Sequence, residues 1–225
     1  MPLIAISPAP DAASVAAARS ALPDCVAAMF VSANAVEGFF GAPGVAWPAG
    51  TRAWATGPGT ARALRDAGVP PSQIDAPPPD AARFDSEALW DRVGARIRPG
   101  DRVLIVRGGD AQGQAAGRDW LALQLQACGA RVDTAVAYVR DLPLWDERRR
   151  AQARAGARDG GWWLFSSSEG VDNLAELVPA QDWSSARALC THPRIGDAAR
   201  TAGFGRVAIV RPGLQDIVAF LQSPA

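Results

Sequence analysis

The sequence feature that most limits the fold is an internal repeat in which similar segments recur 135 positions apart. Residues 30–36 read Phe-Val-Ser-Ala-Asn-Ala-Val, and residues 165–171 read Phe-Ser-Ser-Ser-Glu-Gly-Val. At the same spacing, residues 56–60 (Thr-Gly-Pro-Gly-Thr) align with residues 191–195 (Thr-His-Pro-Arg-Ile). Two motifs that share one spacing indicate a duplicated unit, so we expect two lobes of related structure.

Short apolar runs alternate with helical patterns along the chain, which predicts α/β units with parallel sheets. We expect strands at residues 3–7, 28–32, 52–55, 102–106, 131–139, 162–166, 187–190 and 206–210. We expect helices at residues 33–40, 58–67, 118–128, 146–158, 169–177, 194–202 and 214–222. A further helix, with apolar residues every four positions from Leu89, can be capped by Ser86. The proline-rich residues 75–80 are expected to form a stiff loop.

Composition excludes several classes of protein. The 23 basic residues balance 23 acidic ones, so the charge indicates neither a nucleic acid nor a membrane as partner. All basic residues are arginine, which leaves no lysine for Schiff-base chemistry. Cys25, Cys128 and Cys190 lie far apart without metal or redox spacing, so we expect no metal site and a reduced, cytoplasmic setting. No signal peptide or membrane-spanning run is expected.

In both copies of the repeat, a strand ends in small polar residues where a helix begins. Ligands of parallel sheets collect at the carboxyl ends of the strands, and helix N-termini suit anionic groups. The pattern therefore predicts a small polyanion held between the lobes. The competing interpretation of Ser32, Thr60, Ser166 and Ser167 is that they cap helices, because a duplicated fold duplicates its caps. The arginine-rich segment 146–158 is a solvated helix surface or, less simply, an anion-binding face.

Motifs of other chemistries are absent from the sequence. It contains no G-x-S-x-G elbow, no H-E-x-x-H motif and no Walker loop, and the glycine-rich residues 108–113 do not form G-x-G-x-x-G. A hydrolase or transferase of unrelated chemistry is therefore not indicated.

Five segments together resemble one known family. Residues 30–36 follow its pattern F-T-S-x-x-A-V, with Val31 in place of threonine, and residues 57–61, 104–108, 129–140 and 165–167 match in order. The chain resembles uroporphyrinogen-III synthases over nearly its whole length. Within the second motif of the repeat, Ile195 stands where the family pattern has a threonine.

The resemblance implies an α/β fold of two Rossmann-like or flavodoxin-like lobes with parallel sheets, joined by a two-stranded ladder. The first lobe would be residues 9–131, the ladder residues 1–8 and 132–141, and the second lobe residues 142–225. Family members carry a further strand and helix ahead of the segment that matches Pro2–Pro8. We therefore expect the second lobe to lack one strand of its sheet.

The resemblance also implies a reaction. Enzymes of this family, which are hydro-lyases of haem and other tetrapyrrole biosynthesis, close hydroxymethylbilane to uroporphyrinogen III with inversion of ring D and loss of water. It implies no metal or organic cofactor, hydroxymethylbilane as the partner, no nucleic acid or membrane, and a cytoplasmic monomer. The alternative is a non-catalytic bilobal binding protein or an inactive, truncated homologue.

Tyr138, the single tyrosine of the chain, matches a ladder tyrosine of the family and is the candidate catalytic residue. It is expected to assist departure of the substrate hydroxyl, since a phenol can donate a proton. A packed, hydrogen-bonded structural tyrosine is the alternative. Strict alternation along its strand would place it on the face of Val132, Thr134 and Val136.

The remaining site residues are expected to bind the carboxylates of the substrate. They are Ser32, Asn34, Gly57, Thr60, Arg107, Gly108, Ser166, Ser167 and His192, and no residue is assigned to a metal. Arg107 can bind a carboxylate through two N–H groups or can pair with Asp110 instead. His192 precedes Pro193 and is either a structural turn residue or a carboxylate contact.

Overall fold

The structure, a computed structural model, describes residues 1–41, 46–110 and 112–223. Its strands are β1 (Ala5–Pro8), β2 (Ala27–Phe30), β3 (Arg52–Ala55), β4 (Ile74–Asp75), β5 (Arg102–Gly109), β6 (Arg131–Asp141), β7 (Trp162–Phe165), β8 (Arg187–Cys190) and β9 (Arg206–Ile209). Its helices are α1 (Ala12–Ser20), α2 (Ala33–Phe40), α3 (Pro58–Asp66), α4 (Ser86–Val93), α5 (Trp120–Ala127), α6 (Glu147–Gly156), α7 (Ser168–Leu177), α8 (Pro193–Thr201) and α9 (Leu214–Gln222). Short 3₁₀ helices lie at Leu22–Asp24, Pro71–Gln73 and Gly94–Arg96.

The strands form two separate sheets, which confirms the predicted α/β class. A six-stranded sheet has the order β1-β6-β5-β2-β3-β4, and a three-stranded sheet has the order β7-β8-β9. The pairs of β2 with β3 and β5, of β3 with β4, and of β5 with β6 are parallel, as are both pairs of the smaller sheet. The strands assigned to a ladder, β1 and β6, are neighbours at one edge of the larger sheet.

The chain divides into two compact units, one of which is interrupted in sequence. Residues 6–141 form the first unit, while residues 1–5 and 142–225 together form the second. Two side chains of the second unit bind the backbone of its N-terminal segment. Nε1 of Trp145 donates to the carbonyl of Pro2 at 3.0 Å, and Nδ2 of Asn173 donates to that of Leu3 at 2.8 Å.

The predicted duplication is present in the backbone. The succession β2-α2-β3-α3 of the first unit recurs as β7-α7-β8-α8 in the second, with each strand starting 135 residues later. The register recurs as well, since Ala27 pairs with Arg52 and Trp162 pairs with Arg187. After α3 and α8, Gly68 and Gly203 each have a φ of +92°, a conformation that glycine adopts readily at helix ends.

Each sheet carries its own buried core. One face of the larger sheet packs Phe30, Phe39 and Leu64 beneath α2 and α3, and the other packs Leu89 and Leu125 of α4 and α5. The smaller sheet has a core that includes Phe165, Leu174, Trp183 and Phe204. Each unit is therefore stabilised by apolar clusters of its own.

The repeat also exposes a difference between the two sheets. Met29 lies in β2, between β3 and β5, and is 3% exposed. Leu164 is its counterpart in β7, which is the outer strand of the smaller sheet, and is 49% exposed. The same position is thus part of a core in one copy and of a surface in the other.

Three local features differ from what the sequence led us to expect. Helix α1 was not anticipated, because its alanine-rich sequence buries only Val15. The two-residue strand β4 replaces the start of the loop expected at residues 75–80. Helix α4 is capped by Asp85, whose Oδ1 accepts from the N–H of Ala88 at 2.9 Å, and Ser86 is its first residue. Within the described residues, no helix is long and apolar enough to cross a membrane.

Candidate functional site

The position of Tyr138 is set by a bulge in β6. The register between β5 and β6 is regular up to Arg107, which pairs with Val136. The next pair joins Gly108 to Tyr138, so Ala137 is an extra residue on β6. An extra residue of this kind redirects the side chains that follow it.

The bulge overturns the expected face of the tyrosine. Tyr138 and its neighbour Ala137 both pack in the buried cluster beneath α2, which consecutive residues of a regular strand cannot do. The expectation that Tyr138 shares the face of Val132, Thr134 and Val136 was therefore wrong.

The phenol of Tyr138 is buried, and it contacts the start of α2. The tyrosine is 5% exposed, and its hydroxyl oxygen lies 3.0 Å from Oγ of Ser32. Ser32 also caps α2, since its Oγ accepts from the N–H of Ala35 at 3.2 Å. Ser32 thus caps α2 with the same oxygen that contacts the hydroxyl of Tyr138.

Two glycines make room for this arrangement. A Cβ on Gly108 would lie 2.7 Å from Cζ and 3.0 Å from the hydroxyl oxygen of Tyr138. A Cβ on Gly38 would collide with the carbonyl group of Ala137, so the absence of a side chain lets α2 approach the bulge. Sequence reasoning found Gly108 but missed Gly38, because a lone glycine inside a helical pattern gives no signal of what it packs against.

Each unit has a cavity beside its candidate residues. In the first unit, a cavity of about 440 Å³ lies between α1 and α2 and is lined by residues that include Asn34 and Tyr138. In the second unit, a cavity of about 220 Å³ lies at the carboxyl end of β7 and is lined by residues that include Ser166 and Ser167. Candidate residues from both copies of the repeat therefore border open space.

In the second unit, the junction after β7 places two serines beside its cavity. Ser166 is exposed, and Ser167 is the N-cap of α7. The Ser167 side chain makes no capping hydrogen bond, unlike that of its counterpart Ser32. The hydroxyl of Ser167 and the first N–H groups of α7 are donors that suit a carboxylate.

The junctions after β3 and β8 share one backbone geometry. Gly57 caps α3 with φ −166° and ψ 175°, and His192 caps α8 with φ −155° and ψ 147°. Nδ1 of His192 accepts from the N–H of Arg194 at 3.2 Å. One ring nitrogen of the histidine is therefore engaged in capping. Thr60, in the first turn of α3, is 6% exposed, which leaves little of it for a ligand to touch.

Arg107 contacts the segment that precedes α5. Its Nε donates to the carbonyl of Ala116 at 3.0 Å, Nη2 donates to that of Arg118 at 3.2 Å, and Nη1 pairs with Asp119 at 2.5 Å. The partner of Arg107 is thus Asp119, whereas the carboxylate of Asp110 accepts from backbone N–H groups of residues 112 and 114. With its side chain 6% exposed, Arg107 supports a loop.

Two of the three cysteines, Cys25 and Cys190, are buried in the apolar cores. Burial raises the pKa of the thiols of Cys25 and Cys190 above their ordinary value of 9.0, which keeps both in the weakly nucleophilic protonated form. Among residues 1–41, 46–110 and 112–223, no three or more His, Cys, Asp or Glu side chains are grouped closely enough to hold a metal ion.

Duplicated parallel sheets with polar strand-to-helix junctions define a two-unit α/β protein whose ligand site is expected at the carboxyl ends of the strands. The family model described as uroporphyrinogen-III synthase HemD matches residues 1–219. The chain belongs to the uroporphyrinogen-III synthase family, and this makes it an enzyme of tetrapyrrole biosynthesis.

Solved structures of this family share the fold. The uroporphyrinogen-III synthetase of Helicobacter pylori superposes with a TM-score of 0.64 at 14% identity, covering 97% of this chain and 89% of the other. A mutant uroporphyrinogen III synthase of the extremely thermophilic bacterium Thermus thermophilus gives a TM-score of 0.58 at 20% identity, covering 98% and 86%. A comparison with proteins of curated function gives no match.

Proposed function

We propose that this protein converts linear hydroxymethylbilane to uroporphyrinogen III as a hydro-lyase, with inversion of ring D and release of one water. The observation that carries this proposal is the family match over residues 1–219. The polar junctions of the repeat add support, because the substrate carries many carboxylates and these junctions offer hydroxyls and helix N-termini.

Tyr138 is the catalytic residue in this proposal. Tyr138 is one of the residues that line the larger cavity, and its hydroxyl is held by Ser32 at the start of α2. It donates a proton to the terminal hydroxyl of the substrate, which leaves as water and gives an azafulvenium-like cation. The substituted carbon of ring D attacks this cation, and the resulting spiro intermediate fragments and recloses with the ring inverted.

Each unit offers its own strand-to-helix junctions for binding carboxylates of the substrate. The residues assigned to this task are Asn34, Gly57, Ser166, Ser167 and His192, with the N–H groups that follow them. Arg107 and Gly108 support the site from behind: Arg107 holds the segment before α5, and Gly108 accommodates the tyrosine ring. Thr60 is buried in the first turn of α3 and has no direct role in binding the substrate in this proposal.

The chemistry needs no cofactor, because orientation of the bound chain selects which ring closure occurs and can contribute several kcal/mol to the rate. We assign the enzyme to the cytoplasm as a monomer whose partner is the small-molecule substrate. Gel filtration with light scattering tests the monomer: a single species of about 23.5 kDa is expected.

The direct test supplies hydroxymethylbilane and separates the product isomers. Formation of isomer III faster than the spontaneous formation of isomer I supports the proposal, and isomer I alone at the spontaneous rate overturns it.

Tyr138→Phe is expected to lower kcat at least about tenfold while KM changes by less than about twofold, as for a group that acts in the transition state. Thr134→Val is the matched control, because it removes an exposed hydroxyl from the same strand.

A further inference from the structure

A chain of hydrogen-bonding groups runs from the start of α2 to the candidate catalytic phenol. The N–H of Ala35 donates to Oγ of Ser32 at 3.2 Å, and the same oxygen lies 3.0 Å from the hydroxyl oxygen of Tyr138. A serine hydroxyl has one hydrogen and two acceptor positions. The N–H of Ala35 fills one acceptor position, which leaves the hydroxyl hydrogen and one acceptor position of Ser32 for Tyr138.

In the part of the chain that the structure describes, the phenol of Tyr138 has one hydrogen-bonding partner. Within residues 1–41, 46–110 and 112–223, Oγ of Ser32 is the hydrogen-bonding partner of the phenol. The ring itself is held by close packing against Gly108 and by the bulge at Ala137. The orientation of the hydroxyl hydrogen of Tyr138 therefore depends on which way the Ser32 hydroxyl donates.

We propose that Ser32 is a positioning residue whose hydroxyl donates to the oxygen of Tyr138 and so directs the phenol hydrogen at the substrate. The inference rests on the proposed function. Donation in this sense also stabilises the phenolate that forms when the proton leaves, because hydrogen bonds to an ionised acceptor are the stronger ones. The positive N-terminal end of α2 also stabilises this phenolate, because the N–H of Ala35 donates to the same oxygen of Ser32. Ser32 thus acts on the reaction through Tyr138 and not through a carboxylate.

The proton that Tyr138 donates is returned to it by the end of the reaction. The O–H bond of Tyr138 breaks, and its proton joins the terminal hydroxyl of the substrate. The carbon–oxygen bond then breaks with its electron pair on the departing water. This leaves an azafulvenium cation and a phenolate that Ser32 holds. After ring closure, the proton lost as the pyrrole regains its aromaticity returns to the phenolate, so one water is released and the enzyme is restored.

Kinetics of Ser32 variants, alone and in a Tyr138→Phe background, test the inference. Ser32→Ala and Ser32→Gly remove the hydroxyl, and glycine is tolerated at N-caps, so one of the pair keeps helix α2 intact. Both are expected to lower kcat about tenfold with KM changed by less than about twofold, and Ser32→Thr is expected to restore most of the rate.

In a Tyr138→Phe background, removal of the Ser32 hydroxyl is expected to cost no further activity. Asp85→Ala, which removes the cap of α4, controls for the loss of a cap.

A spectroscopic readout is independent of turnover. Tyr138 is the only tyrosine in the sequence, so protein labelled with [¹³Cζ]tyrosine gives one resonance in this region. Ser32→Ala and Ser32→Gly are expected to shift this resonance, whereas Ser32→Thr and Asp85→Ala are expected to leave it in place.

The outcomes separate this inference from the proposed function. Unmutated protein that yields only isomer I overturns both. Unmutated protein that yields isomer III, together with Ser32 variants that raise KM alone or that slow the Tyr138→Phe enzyme by the same factor, overturns the inference alone. An unchanged tyrosine resonance in Ser32→Gly also overturns it.

Discussion

Gly108 and Tyr138 pair across β5 and β6 so closely that a Cβ on the glycine would lie 2.7 Å from Cζ of the tyrosine. The contact exists because the bulge at Ala137 turns the ring over the neighbouring strand. Gly108 thus makes room for the tyrosine ring by lacking a side chain.

Gly108→Ala is expected to destabilise the protein by about 1–3 kcal/mol, since overpacking of a buried site displaces its neighbours. Isomer III formation should fall as well, because the displaced neighbour is Tyr138. The control is Gly59→Ala, where a new Cβ meets nothing within 4 Å and a helix gains up to about 1 kcal/mol. Urea unfolding of both variants is the measurement, and an unaltered midpoint for Gly108→Ala would contradict the close contact.

Arg107→Met is expected to cost about 1–3 kcal/mol, because the carbonyls of Ala116 and Arg118 lose their donor. Asp119→Asn should cost less than about 1 kcal/mol, as its side chain is 68% exposed. Limited trypsin digestion should cut Arg107→Met faster at Arg118, where the backbone is released. As a control, Arg62→Met alters a side chain that is 79% exposed and should change the free energy of unfolding by less than about 0.5 kcal/mol.

The ion pairs of Asp75 predict a pH dependence of stability. Burial alone would raise the pKa of this carboxyl, but hydrogen bonds from Arg52 and Arg96 outweigh burial and hold the pKa below its ordinary value of 3.8. A carboxyl with a lowered folded pKa contributes stability above its unfolded pKa and loses it as the pH falls through the folded value. Asp75→Asn should therefore be less stable than the parent at neutral pH, with a difference that shrinks below pH 3.8.

Urea unfolding of the parent and of Asp75→Asn across this range measures the effect. Asp66→Asn is the control, because Asp66 is 70% exposed and lies 3.7 Å from Arg62. A gap between the parent and Asp75→Asn that stays constant with pH would show that the carboxylate charge is not what stabilises the fold.

The repeat provides a matched pair of core substitutions. Met29→Ala removes a side chain that is 3% exposed and should cost about 2–5 kcal/mol. Leu164→Ala removes its counterpart, which is 49% exposed, and should cost about 1 kcal/mol or less. Thermal unfolding of each variant compares the two positions, and equal losses would mean that the outer strand β7 is covered in solution.

The duplication and most elements were predictable because they depend on local sequence. Strand-to-helix junctions at Ser32 and Ser167 repeat their residue types at one spacing, and the backbone follows. The face of Tyr138 was not predictable, since a bulge depends on the register of two strands and a periodic pattern describes one. The partner of Arg107 was missed for a similar reason: Asp110 is nearer in sequence, but the loop brings Asp119 to the guanidinium.

The interrupted second unit has a consequence for how the chain folds as it is synthesised. Residues 6–141 contain all six strands of the larger sheet, apart from the first residue of β1, and domains generally fold as units in the order of their synthesis. Residues 1–5 are synthesised before that sheet, yet Trp145 and Asn173, which bind the backbone of this segment, are made only after the sheet is complete. Residues 2 and 3 therefore reach these native contacts only after the larger sheet has been synthesised.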